Sequence, residues 1–332
     1  MGVFKKNEQG FALPMALGIL ATLMLIVGTA VTISQTQRYM FTTTSQLEES
    51  LYFCESALNR SVWLIMYDRI LHPERTPQKK NSQILTKERF IADGSCRKFK
   101  NNDNTVDVFI FDMNSGISLP AYSPGLALTF LKNNLDNSST QEIYEIFSNR
   151  LMDYVDADDL LRNNSMEKTD YEALNLLTLP RNSPLQFREE LLWIPGSYSC
   201  VALDEYGVVS DFNLIPPVGT RVSFGKTHFY SASKNLLQKK CRFTTQEVDQ
   251  VVALRTKITT GEESFEEAFA NYSIWKETLK NNFSFNESSY YTIITKLSED
   301  ERRPTRVLRV SLKISTLPTN NRKIQILEWL VL

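Results

Sequence analysis

Residues 10–33 read GFALPMALGILATLMLIVGTAVTI, and this stretch decides how the rest of the chain is organised. The 23 residues from Phe11 to Ile33 carry no charge. As a helix they would extend roughly 34 Å, enough to cross a hydrocarbon core of roughly 30 Å. Because Lys5 and Lys6 precede them, the positive-inside rule places the N-terminus in the cytoplasm and the remaining residues across the membrane.

The junction between Gly10 and Phe11 separates this segment from other export signals. A cleaved secretory signal has a shorter apolar part and ends in an A-x-A site, which does not follow Ile33. A plain signal anchor would explain the apolar span and remains an alternative. A short basic leader that ends in Gly, followed at once by Phe and an apolar helix, resembles the class III leader of type IV pilins and pseudopilins. The resemblance implies cleavage by prepilin peptidase after Gly10 and N-methylation of Phe11.

The fifth residue after this junction is Met15, where pilins and most pseudopilins carry Glu. A carboxylate in the bilayer costs about 2.5–3.5 kcal/mol unless it is paired. In pilin-like fibres its usual partner is the N-terminal amine of the preceding subunit. A first subunit has no predecessor, so we interpret Met15 as a marker of the tip position. A degenerate leader is the alternative explanation.

Length and charge restrict the class of protein. About 300 residues follow the membrane stretch, which is enough for two packed domains. The chain has 37 Lys and Arg against 38 Asp and Glu, without a long basic block. Nucleic acid is therefore not expected as a partner.

Apolar residues continue at helical spacing beyond the membrane stretch. No Gly or Pro interrupts residues 29–72, and Pro73 then ends the helix. A continuous helix from Phe11 to about Ile70 would be roughly 90 Å long. Its second half should pack on an exported head through one stripe: Leu47, Leu51, Cys54, Leu58, Val62 and Ile65.

Further elements are predicted from local patterns. The polar segment between His72 and Asn104 shows no clear helical or strand periodicity. Alternation and turn residues predict strands at Thr105–Asp112, Ser289–Leu297, Thr305–Thr316 and Lys323–Leu332. The third strand has Leu308, Val310, Leu312 and Ile314 on one face and polar residues on the other, which indicates a half-buried antiparallel meander. Helices are expected at 125–133, 140–155, 170–177, 185–193 and 245–257, and after a cap at Ser264.

Several segments together resemble type II secretion system protein K, the K-type minor pseudopilin family. They are EESLYFCESALNR (48–60), VFIFDMNSGISL (108–119), LMDYVDADD (151–159), REELLWIPG (188–196) and KTHFYSASKNLL (226–237). The resemblance implies an α+β fold with a long N-terminal helix on an antiparallel pilin-like sheet and an inserted, mainly helical domain. The expected divisions are leader 1–10, transmembrane helix 11–33, stem 34–72, first part of the body 73–122, insert 123–243 and second part of the body 244–332.

The same resemblance implies where the protein works and what it contacts. Expected partners are the I- and J-type minor pseudopilins, the major pseudopilin, prepilin peptidase and the inner-membrane assembly platform. The expected location is the bacterial inner membrane, with one span and a periplasmic head. A minor pilin of a type IV pilus or competence system is an alternative.

Catalysis has little support in the sequence. The two histidines, His72 and His228, belong to no metalloprotease or hydrolase motif. Gly225-Lys226-Thr227 lacks the earlier glycine of a phosphate loop, because that position holds Thr220. We therefore expect a non-enzyme, although a signal-anchored periplasmic enzyme or binding protein is a second alternative.

Four cysteines and one acidic run are the remaining chemical features. Cys54, Cys96, Cys200 and Cys241 have no metal-site spacing, so they are either disulfides, in one of three pairings, or unpaired thiols. Asp153, Asp156, Asp158 and Asp159 offer hard oxygen ligands at a density that suits calcium. They lack the order of an EF-hand loop, and a solvated acidic helix end is the alternative. No other cofactor is expected.

Overall fold

The structure is a computed structural model of the 332-residue chain. It describes residues 12–77, 89–101, 104–120, 124–125, 128, 138–176, 179–204, 208–215, 226–298, 305–314 and 324–332. Gly10 and Phe11 lie outside the described residues, as does most of the helix predicted at 125–133.

Helices and strands alternate irregularly along the chain. The helices are α1 Ala12–Leu71, α2 Ser138–Val155, α3 Lys168–Ala173, α4 Lys234–Cys241, α5 Thr245–Thr259, α6 Phe265–Ala268 and α7 Ser273–Asn282. The strands are β1 Asp93–Asn101, β2 Asn104–Asp112, β3 Ile117–Pro120, β4 Phe212–Ile215, β5 Thr227–His228, β6 Phe283–Ser284, β7 Tyr290–Leu297, β8 Val307–Ile314 and β9 Ile324–Val331. Short 3₁₀ helices occupy Met113–Ser115, Arg188–Trp193 and Ser197–Ser199.

The continuous N-terminal helix is confirmed. α1 has 60 residues, which corresponds to about 90 Å. Its C-terminal half packs on the sheet through the predicted stripe, in which Cys54 and Ile65 are fully buried. Its N-terminal half is exposed throughout, with Leu25 69% exposed. The two halves of one helix therefore meet different surroundings, as their sequences require.

An antiparallel sheet of five strands carries α1. Its strand order is β1-β2-β7-β8-β9, so β2 pairs directly with β7 although a long stretch of chain separates them. The sequence analysis missed β1. Its mostly polar residues alternate weakly, and the strand exists because it pairs with β2 along its length.

The face of the sheet under α1 is apolar. Val108, Ile110, Ile293, Leu308 and Val310 are all fully buried there. Burial of each such side chain contributes about 1.5–3 kcal/mol. The predicted alternation of β8 is thus confirmed on this face.

The opposite face, here called the outer face, is not the solvated surface that the alternation suggested. Arg309 is 5% exposed and Ser311 1% exposed. The whole segment between β2 and β7, called the insert from here on, folds over them. Its Arg188 forms an ion pair with Glu328 of the sheet, and its Asp204 forms one with Arg309. Polar residues alternate in β8 because they meet polar partners from the insert as well as water.

A second hydrophobic core lies within the chain between β2 and β7. It joins residues from Ile117 to Phe283, including Tyr154, Phe229 and Phe269. Helices α5 to α7 contribute their buried side chains to this core and not to the core under α1. The predicted capping boxes Thr244–Glu247 and Ser264–Glu267 are both present. The helix expected after Ser264 is two helices, because the chain turns at Tyr272 between α6 and α7.

Buried polar contacts join α1 to the second end of the segment that connects β2 and β7, and join the two ends of that segment to each other. Arg69, in the last turn of α1, forms an ion pair with Glu287. Glu287 also accepts a hydrogen bond from the backbone N–H of Ala92 at 2.8 Å. Asp112, at the end of β2, accepts from the backbone N–H of Ser288 at 2.5 Å and from its hydroxyl at 2.9 Å. The two ends of the insert are therefore held side by side.

Candidate functional site

The N-terminal part of α1 is the first functional element. Among the described residues one helix, Leu13–Leu71, is long and apolar enough to cross a membrane. Met15 lies on its surface and is 63% exposed. A membrane or neighbouring helices would cover this surface, since the head does not reach it.

The outer side of the stem, residues 34–72 of α1, carries several exposed apolar side chains among polar ones. Tyr52, Trp63 and Ile70 are 68%, 62% and 71% exposed. Trp63 stacks on Tyr67, with the ring centroids 5.4 Å apart. Exposed aromatic groups in a row are typical of protein–protein contact surfaces.

Three carboxylates meet at the end of α2 and form the candidate cation site. Asp153 is fully buried, Asp156 is half-buried and Glu167 is 3% exposed. One oxygen from each lies within 4.8 Å of the others. Two of the predicted aspartates are thus brought together, and Glu167 joins them from the far end of the loop that follows α2.

Asp158 and Asp159 stay outside this cluster. Both are exposed, and the Asp158 side chain accepts a hydrogen bond from the backbone N–H of Leu160 at 2.9 Å. The sequence analysis missed Glu167, because it lies eight residues beyond Asp159 and only the fold of the loop brings it back. No spacing rule for a known metal loop includes it.

Arg162 neutralises one side of the cluster. Its Nη1 forms ion pairs with Asp153 and, at 2.6 Å, with Asp156. Its backbone N–H donates to Asp153 at 2.9 Å. With three carboxylates and one guanidinium, the cluster retains negative charge.

The remaining oxygens of the cluster lack donors. Both carboxylate oxygens of Glu167 and Oδ1 of Asp156 are buried without a hydrogen-bond partner among the described residues. Burial raises the pKa of Glu167, and the neighbouring charge of Asp156 raises it further. Burial followed by the charge of Asp158 raises the pKa of Asp156. A hard divalent cation would supply the missing partner, so these residues fit calcium.

The cysteines are free thiols. Cys54 and Cys200 are buried and Cys96 is exposed. Burial raises the pKa of Cys200 to about 11 and that of Cys241 to about 12. These thiols are therefore protonated and unreactive at neutral pH.

One histidine, His228, contacts a serine, Ser231, and both side chains are buried away from solvent. His228 is fully buried in β5, and its Nδ1 lies 2.9 Å from the Ser231 hydroxyl. His72 directly follows α1 and is half-buried. Lys226 donates to the backbone carbonyl of Lys280 at 3.0 Å, which is a structural contact.

Comparison with known proteins adds one finding to this geometry. No protein-family profile and no curated protein sequence matches the chain. A solved structure does match: a chain of the GspK–GspI–GspJ complex from the enterotoxigenic Escherichia coli type 2 secretion system, at 14% sequence identity and a TM-score of 0.51. The match covers 86% of this chain and 96% of that one. The two chains share a fold.

The predicted resemblance is therefore confirmed at the level of the fold. This chain shares the α+β fold of a chain of that complex, with the long helix, the antiparallel sheet and additional helices. Because the match covers 86% of this chain, it includes most of the segment between β2 and β7 as well as the sheet.

Proposed function

We propose that the protein is a minor pseudopilin of a type II secretion system, a non-catalytic subunit at the tip of a periplasmic pseudopilus. The observation that carries the proposal is α1: one helix whose exposed apolar half suits a membrane or a fibre core and whose second half carries a GspK-like head. The subunit would be anchored in the inner membrane with its N-terminus in the cytoplasm and would help to start the fibre.

Partners follow from the same fold. The matching chain was solved in a complex with two other Gsp proteins. We propose that this chain binds the I- and J-type minor pseudopilins of its own cell through the outer side of the stem. Tyr52, Trp63 and Ile70 provide apolar surface there, and burying aromatic side chains is what stabilises such interfaces most. Contacts with the major pseudopilin, prepilin peptidase and the assembly platform belong to the same proposal.

Co-purification from membranes tests this role. The full chain is expressed with tagged I- and J-type proteins from the same genome, and the complex is captured through either tag. We expect Trp63→Ser to reduce recovery of this chain strongly, because Trp63 contributes exposed stem surface. Trp193→Ser is the matched control, since Trp193 is 46% exposed on the insert, away from the stem.

Deletion of the gene distinguishes the two fibre systems. Loss of secretion of folded exoproteins, restored by the intact gene, would support the type II assignment. Loss of surface pili or of DNA uptake with normal secretion would assign the chain to a type IV pilus or competence system. Normal secretion and normal pili, with no capture of partners, would exclude both.

We also propose that Asp153, Asp156 and Glu167 hold calcium. The unpartnered, buried oxygens of Glu167 support this site. Calcium would join the end of α2 to the start of α3 and so stabilise the insert.

A further inference from the structure

A cavity of about 410 Å³ lies between the outer face of the sheet and the insert. Its size is within the range of small-molecule sites, which are roughly 300–1,000 Å³. It lies on the opposite side of the sheet from α1 and is lined by residues other than those of the carboxylate cluster. It is therefore independent of the membrane element and of the cation site.

Strand pairing fixes the floor of the cavity. Arg309 of β8 pairs with Ile294 of β7, which pairs with Phe109 of β2. In the next row Thr292 pairs with Phe111, and Phe111 with Asp93. Two strand spacings separate Arg309 from Phe109, which is about 10 Å between backbones. The floor thus has a cationic end at β8 and an aromatic end at β2.

The insert provides the roof, which is rich in donors. Arg188 and Arg255 line it, together with Ser210, Asn213, Ser231 and Ser233. Arg255 donates from Nη1 to the backbone carbonyls of Phe229 at 3.2 Å and Ala232 at 2.7 Å. Within the described ranges it forms no direct ion pair, although the charge of Asp93 across the cavity favours its charged form.

Arg309 also has N–H donors that lack a strong acceptor. Its Nη1 is 3.4 Å from Asp204, a weak contact, and its Nε has no hydrogen-bond partner among the residues described. Burial, together with the nearby charge of Arg188, lowers the pKa of Arg309 to about 10. Burial likewise lowers the pKa of Arg255 to about 10. In both groups the effect of burial on the pKa outweighs that of the nearby carboxylates.

The carboxylates that line the cavity are already engaged. Asp93 accepts from the backbone N–H and hydroxyl of Ser95, at 3.0 and 2.7 Å, and pairs with Arg97. Asp204 accepts from the backbone N–H of Val208 at 2.9 Å. Arg309 Nε thus has no acceptor among the described residues, and an acceptor from outside the chain would supply one.

We propose that this cavity binds a small organic acid, with its carboxylate at Arg309 and its apolar part over Phe109 and Phe111. Guanidinium groups recognise carboxylates through paired N–H donors, and the half-buried rings offer apolar surface. The 10 Å between the two ends suits an acid of about the size of benzoate. Binding would join the insert to the sheet, because Arg309 and the rings belong to the sheet and Arg188 and Arg255 to the insert.

Calorimetric titration of the full chain in lipid nanodiscs tests the proposal. The probes are benzoate, benzamide with the same shape and no charge, and inorganic sulfate with charge and no apolar part; empty nanodiscs provide the blank. We expect saturable binding of benzoate that is at least about tenfold tighter than that of either other probe. Equal binding of benzamide, equal binding of sulfate or the absence of any saturable signal would each overturn the proposal.

Two variants locate the site. Arg309→Lys keeps the positive charge and the ion pair with Asp204 but removes the planar guanidinium group with its paired N–H donors. Benzoate should therefore bind about tenfold more weakly. Phe111→Leu should weaken the binding of benzoate and leave the binding of sulfate unchanged. Arg60→Lys is the matched control, since Arg60 is an exposed arginine on α1 on the other side of the sheet. Unchanged benzoate affinity in Arg309→Lys and Phe111→Leu, with a normal thermal transition, would show that the site is elsewhere.

Discussion

Arg69 and Glu287 form an ion pair across 218 residues of sequence, and both side chains are only 1% exposed. Arg69 also donates from Nε to the Tyr291 hydroxyl at 3.0 Å. The pair joins the last turn of α1 to the start of β7. It fixes the direction in which the stem leaves the head.

The first prediction concerns this pair. Arg69→Met leaves Glu287 buried without its cation, which should lower the free energy of unfolding by about 3–5 kcal/mol. The exposed pair Lys234–Asp249, with N and O atoms 2.7 Å apart, is the control, and Lys234→Met should cost at most about 1 kcal/mol. Denaturant titration of the full chain in detergent measures both. Equal losses in the two variants would contradict the prediction.

A second prediction tests calcium at Glu167. Saturating calcium, at about 100 times its Kd, should stabilise the protein by about 2.7 kcal/mol. Glu167→Gln should abolish this response and, in the presence of a chelator, should raise the melting temperature above that of the unchanged chain. The reason is that the raised pKa of Glu167 shows its charge to be unfavourable without a cation. Glu142→Gln on the exposed side of α2 should keep the calcium response; a response that survives in Glu167→Gln would place calcium elsewhere.

The third prediction is a pH dependence caused by His228. Burial lowers the pKa of His228 below its ordinary value of 6.5. The unfolded chain therefore takes up a proton that the folded protein excludes. The contribution of His228 to stability is complete above pH 6.5 and is lost as the pH falls towards the lowered pKa, by at most about 1.4 kcal/mol per pH unit. His228→Asn can keep a hydrogen bond to Ser231 and should show a shallower loss of stability below pH 6.5; parallel curves for the two proteins would exclude this role.

Processing at Gly10 gives a fourth prediction, which rests on the sequence alone. The mature chain should begin at Phe11 with a methylated amine, and Gly10→Ala should block or strongly slow cleavage, because Gly10 ends the leader that the resemblance to pilins implies. Intact-mass measurement of protein extracted from membranes decides this. A retained Met1, or a cut beyond Ile33, would contradict it.

Met15 gives the fifth prediction. In Met15→Glu a new carboxylate enters the membrane segment without an amine from an earlier subunit, at a cost of about 2.5–3.5 kcal/mol. We expect fewer fibres, or displacement of the subunit from the tip. Gold labelling of overproduced fibres would show this, and label along the whole length of unmodified fibres would exclude the tip position.

The local spacing of apolar residues was sufficient to predict the elements that pack directly on one another. The stripe that includes Cys54 and Ile65 predicted the packed side of α1, and the alternation around Val310 predicted the face of β8 beneath it. In both, the spacing of apolar residues matches the geometry of the element, so the sequence carries the information by itself.

The outer face and the cation site could not be predicted in this way. Arg309 and Ser311 have the pattern of solvated residues, and nothing within β8 records that the insert covers them. Glu167 reaches Asp153 only because the loop after α2 returns. Such contacts depend on how distant segments pack, and no local spacing encodes that.

The pairing of β2 with β7 has a consequence for how the chain folds. In topological terms these strands are a β-hairpin whose loop contains the whole insert, about 180 residues. Closing so long a loop costs about 3 kcal/mol more than closing one of four residues. If the insert folds first, its own core brings both ends of the hairpin together and removes most of this cost, and the contact between Asp112 and Ser288 can then form. The most distant part of the head is thus expected to fold before the sheet that supports it.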